Sequence, residues 1–171
     1  MYSGSDRPRI KINMGSIDRI IELVAFTFIV IHIILIAVYY SHLPASIPTH
    51  FNVEGNPDGY GKKSTLLLIP GFSVLIYLLL TIAAFFPHIY NYPVRITEHN
   101  AEVQYRLAIR MIRVIKAIVI VMFAFINYST IMISLGSTNG LGLVFLPVSL
   151  LVLSGVIVIY LVQALNNKQP G

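Results

Sequence analysis

Charge is what this sequence has least of. Of its 171 residues, 11% are charged and 56% are hydrophobic, whereas a soluble domain carries about 25% charged residues. Seven acidic and twelve basic side chains cannot clothe a globule of this size in water, so much of its surface faces something else. Cysteine is absent, which excludes a disulfide, a thiolate nucleophile and cysteine ligands for a metal. The net charge of +5 invites a nucleic-acid reading. The placement of the charges excludes it, because Lys and Arg flank long apolar runs and act there as topology signals. The first apolar run is too long for the core of a signal peptide and no small-residue cleavage site follows it. The length fits one domain.

Four apolar runs are present, over residues 20–40, 65–86, 117–135 and 141–165. Each approaches or exceeds the roughly 20 residues a helix needs to cross hydrocarbon. Inside lipid every backbone polar group must be paired locally, so the runs are helices. The expected fold is therefore all-α and integral to the membrane: four transmembrane helices in an antiparallel bundle over 16–165. Cytoplasmic tails at 1–15 and 166–171 flank it, the first disordered apart from attraction to anionic lipid. Arg7, Arg9, Lys11, Arg19, Arg95, Arg106, Arg110, Arg113, Lys116 and Lys168 lie on one side of the runs, and Lys62 and Lys63 on the other. Positive residues stay inside, which places both chain ends in the cytoplasm and residues 41–63 outside. Tyr39 and Tyr40 fit an outer aromatic belt, and Tyr90 and Tyr92 an inner one.

The connections differ in character. Gly-Ser-Thr-Asn-Gly at 136–140 reads as a tight turn joining two antiparallel spans. Residues 87–116 form a cytoplasmic segment whose second half continues into the third span as one helix. Thr97 is its expected N-cap with Glu98 in the first turn, and Glu102 and Arg106 are spaced to pair. Pro70 with Gly71, and Pro147, are expected to kink their helices. The outer loop is long. Its stretch 54–61 holds Gly55, Pro57, Gly59 and Gly61, residues that favour turns, and a small β-like hairpin or an Ω-loop lying on the outer helix ends is its natural form.

That loop, LPASIPTHFNVEGNPDGYGKK, and the segment NYPVRITEHNAEVQYRLAIRMIRVIK resemble the SdpI family of bacterial membrane proteins. The resemblance implies the inner membrane of a bacterium, a role in immunity or signalling, a secreted peptide toxin as the outer partner and a soluble regulator as the inner one.

Five groups of side chains are candidates for function. His50, Asn52, Asp58 and Tyr60 in the outer loop present a ligand surface or, in the plainer reading, hold the loop's own backbone in shape. His42 and His50 with nearby carboxylates match no zinc spacing, so no metal is expected. His32, Ser73, Asn127 and Ser149 lie at similar depth in the four spans. They form a polar cavity or simple interhelical glue. Glu22, just inside the first span, is either a functional carboxylate or the partner of a cytoplasmic Arg. Arg106, Arg110, Arg113 and Lys116 share a helix face at the membrane boundary, suited to membrane lipids or to a docked regulator.

No Ser-His-Asp order, no pair of carboxylates within one span, no phosphate loop and no zinc signature is present. The expectation is a non-enzymatic membrane protein without cofactors that binds a peptide or envelope ligand. The alternative is a membrane-embedded enzyme or transport component, with its site in the polar layer or at the loop histidines. Without an inverted repeat, four spans offer no obvious pathway unless the chain forms an oligomer.

Overall fold

The computed structural model describes residues 7–168. It contains four helices, α1 (Ser16–Tyr39), α2 (Leu68–Ala83), α3 (Ala101–Ser134) and α4 (Phe145–Asn166), and one hairpin of β1 (Ser46–Phe51) and β2 (Pro57–Lys62) between α1 and α2. Three stretches, Ser16–His42, Lys63–Ala83 and Phe145–Asn166, are long and apolar enough to cross a membrane. With the composition, they mark the chain as a membrane protein.

Each helix buries a narrow stripe. Along α1, Asp18, Ala25, Ile29 and His32 are buried, and Glu22 continues the same line. The spacing of 4, 3, 4 and 3 keeps one seam in register. Ile20, Leu23, Phe26 and Ile33 on other faces are more than half exposed. In water that exposure would be ruinous, and in hydrocarbon it is what the medium requires. Helix α3 is the hub. It packs on α1, α2 and α4, while α2 and α4 make no comparable contact. The four helices are thus grouped around α3 rather than closed into a symmetric ring. Small residues let backbones approach, and Ala117 of α3 meets the α1–α2 side while Ala108 meets Tyr160 and Ala164 of α4.

Helices α1 and α3 run parallel. Glu22 meets Lys116 and His32 meets Asn127, offsets of 94 and 95 residues, so the seam holds one register along its length. Helix α2 runs against both, with Ser73 beside His32 at one end and Thr81 beside Lys116 at the other.

The hairpin forms as its turn residues dictate. Asn52 Oδ1 accepts hydrogen bonds from the backbone N–H groups of Glu54 and Asn56, and Gly55 adopts φ +81°. Two bare strands are marginal in isolation. Here Ile47 is inserted, 1% exposed, among Leu43, Leu66 and Ile131.

Several local expectations are revised. Pro147 is the third residue of its helix, where the missing N–H has no helical acceptor anyway, so it starts that helix rather than kinking it. Pro70 stands just after the change from a 3-10 turn over Lys63–Leu67 to the α-helical α2. Helix α4 begins at Phe145, so its connection from α3 spans 135–144, longer than a tight turn. Asn100, not Thr97, caps α3, and its first-turn carboxylate is Glu102. Asn100 Oδ1 accepts from the Thr97 N–H, leaving Glu98 outside the helix. The tail is held at Arg7 and Pro8: Arg7 donates to the carbonyls of His88 and Tyr90, and the Tyr105 hydroxyl donates to that of Pro8. Residues 1–6 and 169–171 lie outside the described residues. Tyr90 and Tyr92 stack on each other at 6.2 Å and pack against α3 and α4 instead of forming an outward belt.

Candidate functional site

Three polar arrangements stand out in a chain this apolar. The first is the hairpin. It is latched at both ends. At its base the Lys63 ammonium donates to the carbonyls of Tyr40 and Leu43 and lies 4.9 Å from the centre of the Tyr40 ring. At its tip the Leu141 N–H donates to the Gly55 carbonyl at 2.8 Å. The two backbones approach so closely that a Cβ on Gly55 would stand 2.7 Å from the Gly142 oxygen. His50 Nδ1 pairs with Asp58 Oδ1 across the strands, Asn52 shapes the turn, and Tyr60 is 62% exposed. Of the four loop residues singled out in the sequence, His50, Asn52 and Asp58 thus serve the hairpin's shape, and Tyr60 is left to project.

The second is the triad of His32, Ser73 and Asn127, all 0% exposed. His32 Nε2 lies 3.4 Å from the Ile120 carbonyl, which can only accept, so Nε2 carries the proton. Nδ1 is then free to accept from the Asn127 amide at 3.2 Å. Ser73 Oγ, 3.3 Å from Nε2, donates to the Ile69 carbonyl. Asn127 Oδ1 has no partner. Ser149, expected in this layer, is buried on α4, but no side-chain hydrogen bond joins it to the triad among the described residues. The reason is the hub arrangement: α4 packs on α3 away from the α1–α2 side.

The third arrangement is ionic and lies at the other end of the α1–α3 seam. Lys116 Nζ, fully buried, donates to both Glu22 oxygens at 2.8 and 2.7 Å and to Thr81 Oγ1 at 2.8 Å. Its ammonium also lies 4.3 Å from the centre of the Tyr77 ring. Arg110 Nε donates to Asp18 at 3.2 Å. Arg113 stands within ion-pair reach of Asp18 and Glu22, at 3.5 and 3.4 Å, although its Nε is not aligned for a hydrogen bond. Asp18 also accepts from the Gly15 N–H at the start of α1.

This overturns the reading of Arg106, Arg110, Arg113 and Lys116 as one basic face for lipid or a docked regulator. Arg113 and Lys116 point inward because α1 carries carboxylates at matching depth. A buried ammonium survives only when paired. Arg106 pairs with Glu102 at 2.6 Å on the surface, and only Arg106 and Arg110 keep substantial exposure. The signal was in the sequence. Asp18 and Glu22 stand one turn apart near the start of α1, and Arg113 and Lys116 one turn apart at the same depth of α3. Recognising it required knowing that the two helices are parallel neighbours.

Outside the spans, burial pushes the Tyr90 hydroxyl up to about 12 and raises Tyr92 further, with the neighbouring tyrosines adding to the effect. The Tyr90 hydroxyl donates to the Ala83 carbonyl, which closes the end of α2. Among the described residues no group of three or more His, Asp or Glu side chains is placed to hold a metal ion.

Comparison with known proteins reaches the hairpin unit. Residues 27–74 match a family model described as Domain of unknown function (DUF1648). A stretch of 56 residues is 41% identical to a protein of Archaeoglobus fulgidus described only as uncharacterized. That match covers 32% of this chain and 31% of the relative, so the shared part spans about a third of either protein. No solved structure matches. The matched residues 27–74 contain His32, Ser73 and the whole hairpin. They do not reach Asn127 or the partners of Glu22 on α3.

Proposed function

We propose that this is a non-enzymatic membrane protein of four spans, with both ends cytoplasmic, whose outer hairpin recognises a peptide or envelope ligand in the manner that the SdpI-type resemblance implies. The observation that carries the reading is the preformed hairpin. It is anchored by Ile47, latched at base and tip, and still presents Tyr60 to solvent. A loop fixed before binding loses less entropy when it binds, and long ordered loops are commonly functional.

The remaining architecture supports the membrane placement. The second half of α3, residues 117–134, carries no charged side chain and supplies the fourth span. Arg7 and the end of α4 both join the segment around residues 87–105, which puts the two described ends at one side, with ten of the twelve basic residues. The sealed triad around His32 supports interhelical glue over a transport route.

The test is Tyr60→Ala, which removes the projecting side chain, beside alanine substitutions at His50, Asn52 and Asp58, with folded yield and protection of cells from secreted toxic peptides both measured. Lost protection at normal yield is expected for Tyr60→Ala. Collapse of the yield in every variant would make the loop architecture only, and full protection by a variant lacking all four side chains would remove recognition from it.

A further inference from the structure

A cavity of about 500 Å³ lies under the hairpin. Ile69 and Phe72 of α2, Ile126 of α3 and Phe145 of α4 form its walls, and Phe51 and His50 belong to its roof. It exists because the hairpin is an arch. The hairpin rises from the base of α2, crosses the gap between α2 and α4, and is fastened on the far side at Leu141. The helices beneath do not close the gap, and the tip latch, Gly55 with Leu141, forms one end of the lining.

We propose that this cavity is a lipid site: one acyl chain enters sideways from the bilayer between α2 and α4 and lies under Phe51, its polar end at the His50 and Asn52 edge. The proposal rests on the reading of the hairpin as a binding element and names the class of ligand as lipid.

Four observations lead there. The volume falls in the range of small-molecule sites, roughly 300–1,000 Å³, which are mainly apolar with a few polar groups. The walls hold no Asp, Glu, Lys or Arg, so the body of the occupant is uncharged. The cavity is continuous with faces that hydrocarbon touches, since Leu68 and Phe72 on α2 are 57% and 54% exposed and Leu150 on α4 is 57% exposed. An apolar void stays dry, which leaves hydrocarbon to fill it. Its imidazole and amide side chains, His50 and Asn52, both belong to the roof, while the other polar side chains of the lining are the threonines Thr49, Thr65 and Thr130, so the strongest polar contacts lie at one end, where an amphiphile would place its head. An extended peptide would bring backbone N–H and C=O groups that the walls do not satisfy.

The chain has no tryptophan, so a single introduced one reports without background. Phe51→Trp and Ile126→Trp place it on the cavity, and Leu151→Trp places it on α4 where the side chain is 73% exposed. Each variant, shown to be folded by helix content and a single gel-filtration peak, is titrated in detergent micelles with phosphatidylcholine brominated in mid-chain. Saturable quenching of the two cavity reporters at one lipid per chain is expected, while Leu151→Trp follows the bulk lipid fraction of the micelle. Cavity reporters that merely track Leu151→Trp, or are not quenched, overturn the site. So does protection of the cavity reporters that depends on protein concentration, which would put a second copy in the slot. The two readings separate cleanly. Absent lipid binding with protection still lost in the loop variants sinks the lipid site alone. Lipid binding with protection untouched sinks toxin recognition alone.

Discussion

Removing Glu22 should cost more than removing Lys116, although the two form one ion pair. The Lys116 ammonium is fully buried, and three of its contacts are the two Glu22 oxygens and Thr81. Glu22→Gln leaves that ammonium with Thr81, the Tyr77 face and a neutral amide. Asp18 cannot replace the carboxylate, because Arg110 and Arg113 already engage it. Breaking a buried pair so that a charge is stranded costs about 3–5 kcal/mol. Lys116→Met strands less. Glu22 keeps Arg113 at 3.4 Å, its side chain is 15% exposed, and the methionine fills the apolar volume of the lysine stem. The loss is then nearer that of hydrogen bonds to a charged group, about 1.5–3 kcal/mol. In the double variant the stranded ammonium is gone, so it should be more stable than Glu22→Gln alone, a coupling of about 1 kcal/mol or more. Reversible unfolding in mixed micelles, followed by helix content, measures all four proteins. Equal costs for the two single changes, or strict additivity in the double, would refute the stranded-charge argument.

Three further outcomes are expected. Gly55→Ala must hold a left-handed conformation, about 1–3 kcal/mol for a residue with a side chain, and must also displace the Gly142 carbonyl. Amide exchange over residues 56–62 should therefore quicken, whereas Gly71→Ala, with open space around it, should leave exchange there unchanged. A cysteine at Asn56 should react with an impermeant reagent from outside the cell and one at Glu98 should not. Glu98 is the better reporter than Asn100, which is buried as the cap of α3, and the reverse labelling would overturn the orientation. Tyr90 is raised in the folded state from its ordinary 10 to about 12, so above pH 10 the unfolded chain releases a proton that the folded one retains. Stability should be intact below pH 10 and fall between pH 10 and 12. Tyr90→Phe should lessen that fall, to which the still higher Tyr92 also contributes, and an unchanged alkaline profile would exclude Tyr90 as a source.

The sequence by itself determined the class of protein and the elements. Scarcity of charge and continuous apolar runs of about 20 residues specify helices in hydrocarbon, because such a run pairs its own backbone polar groups there only as a helix, whereas barrel strands are short and alternate. Turn-forming residues at 52–61 specify a hairpin, because Asn52 and Gly55 make its turn with local bonds alone. The meeting of His32, Ser73 and Asn127 was also legible, since depth along a helix is simple arithmetic at 1.5 Å per residue. Tertiary structure decided what depth cannot, namely which way each side chain faces. Arg113 and Lys116 turn inward, and Ser149 is kept from the triad, because α3 stands at the centre with α1 and α4 on different sides of it. The cavity under the hairpin has no signature in any single segment. It arises where the arch from α2 to Leu141 crosses two helices that pack on α3 far more than on each other, and the packing of the whole chain around α3 decides that gap.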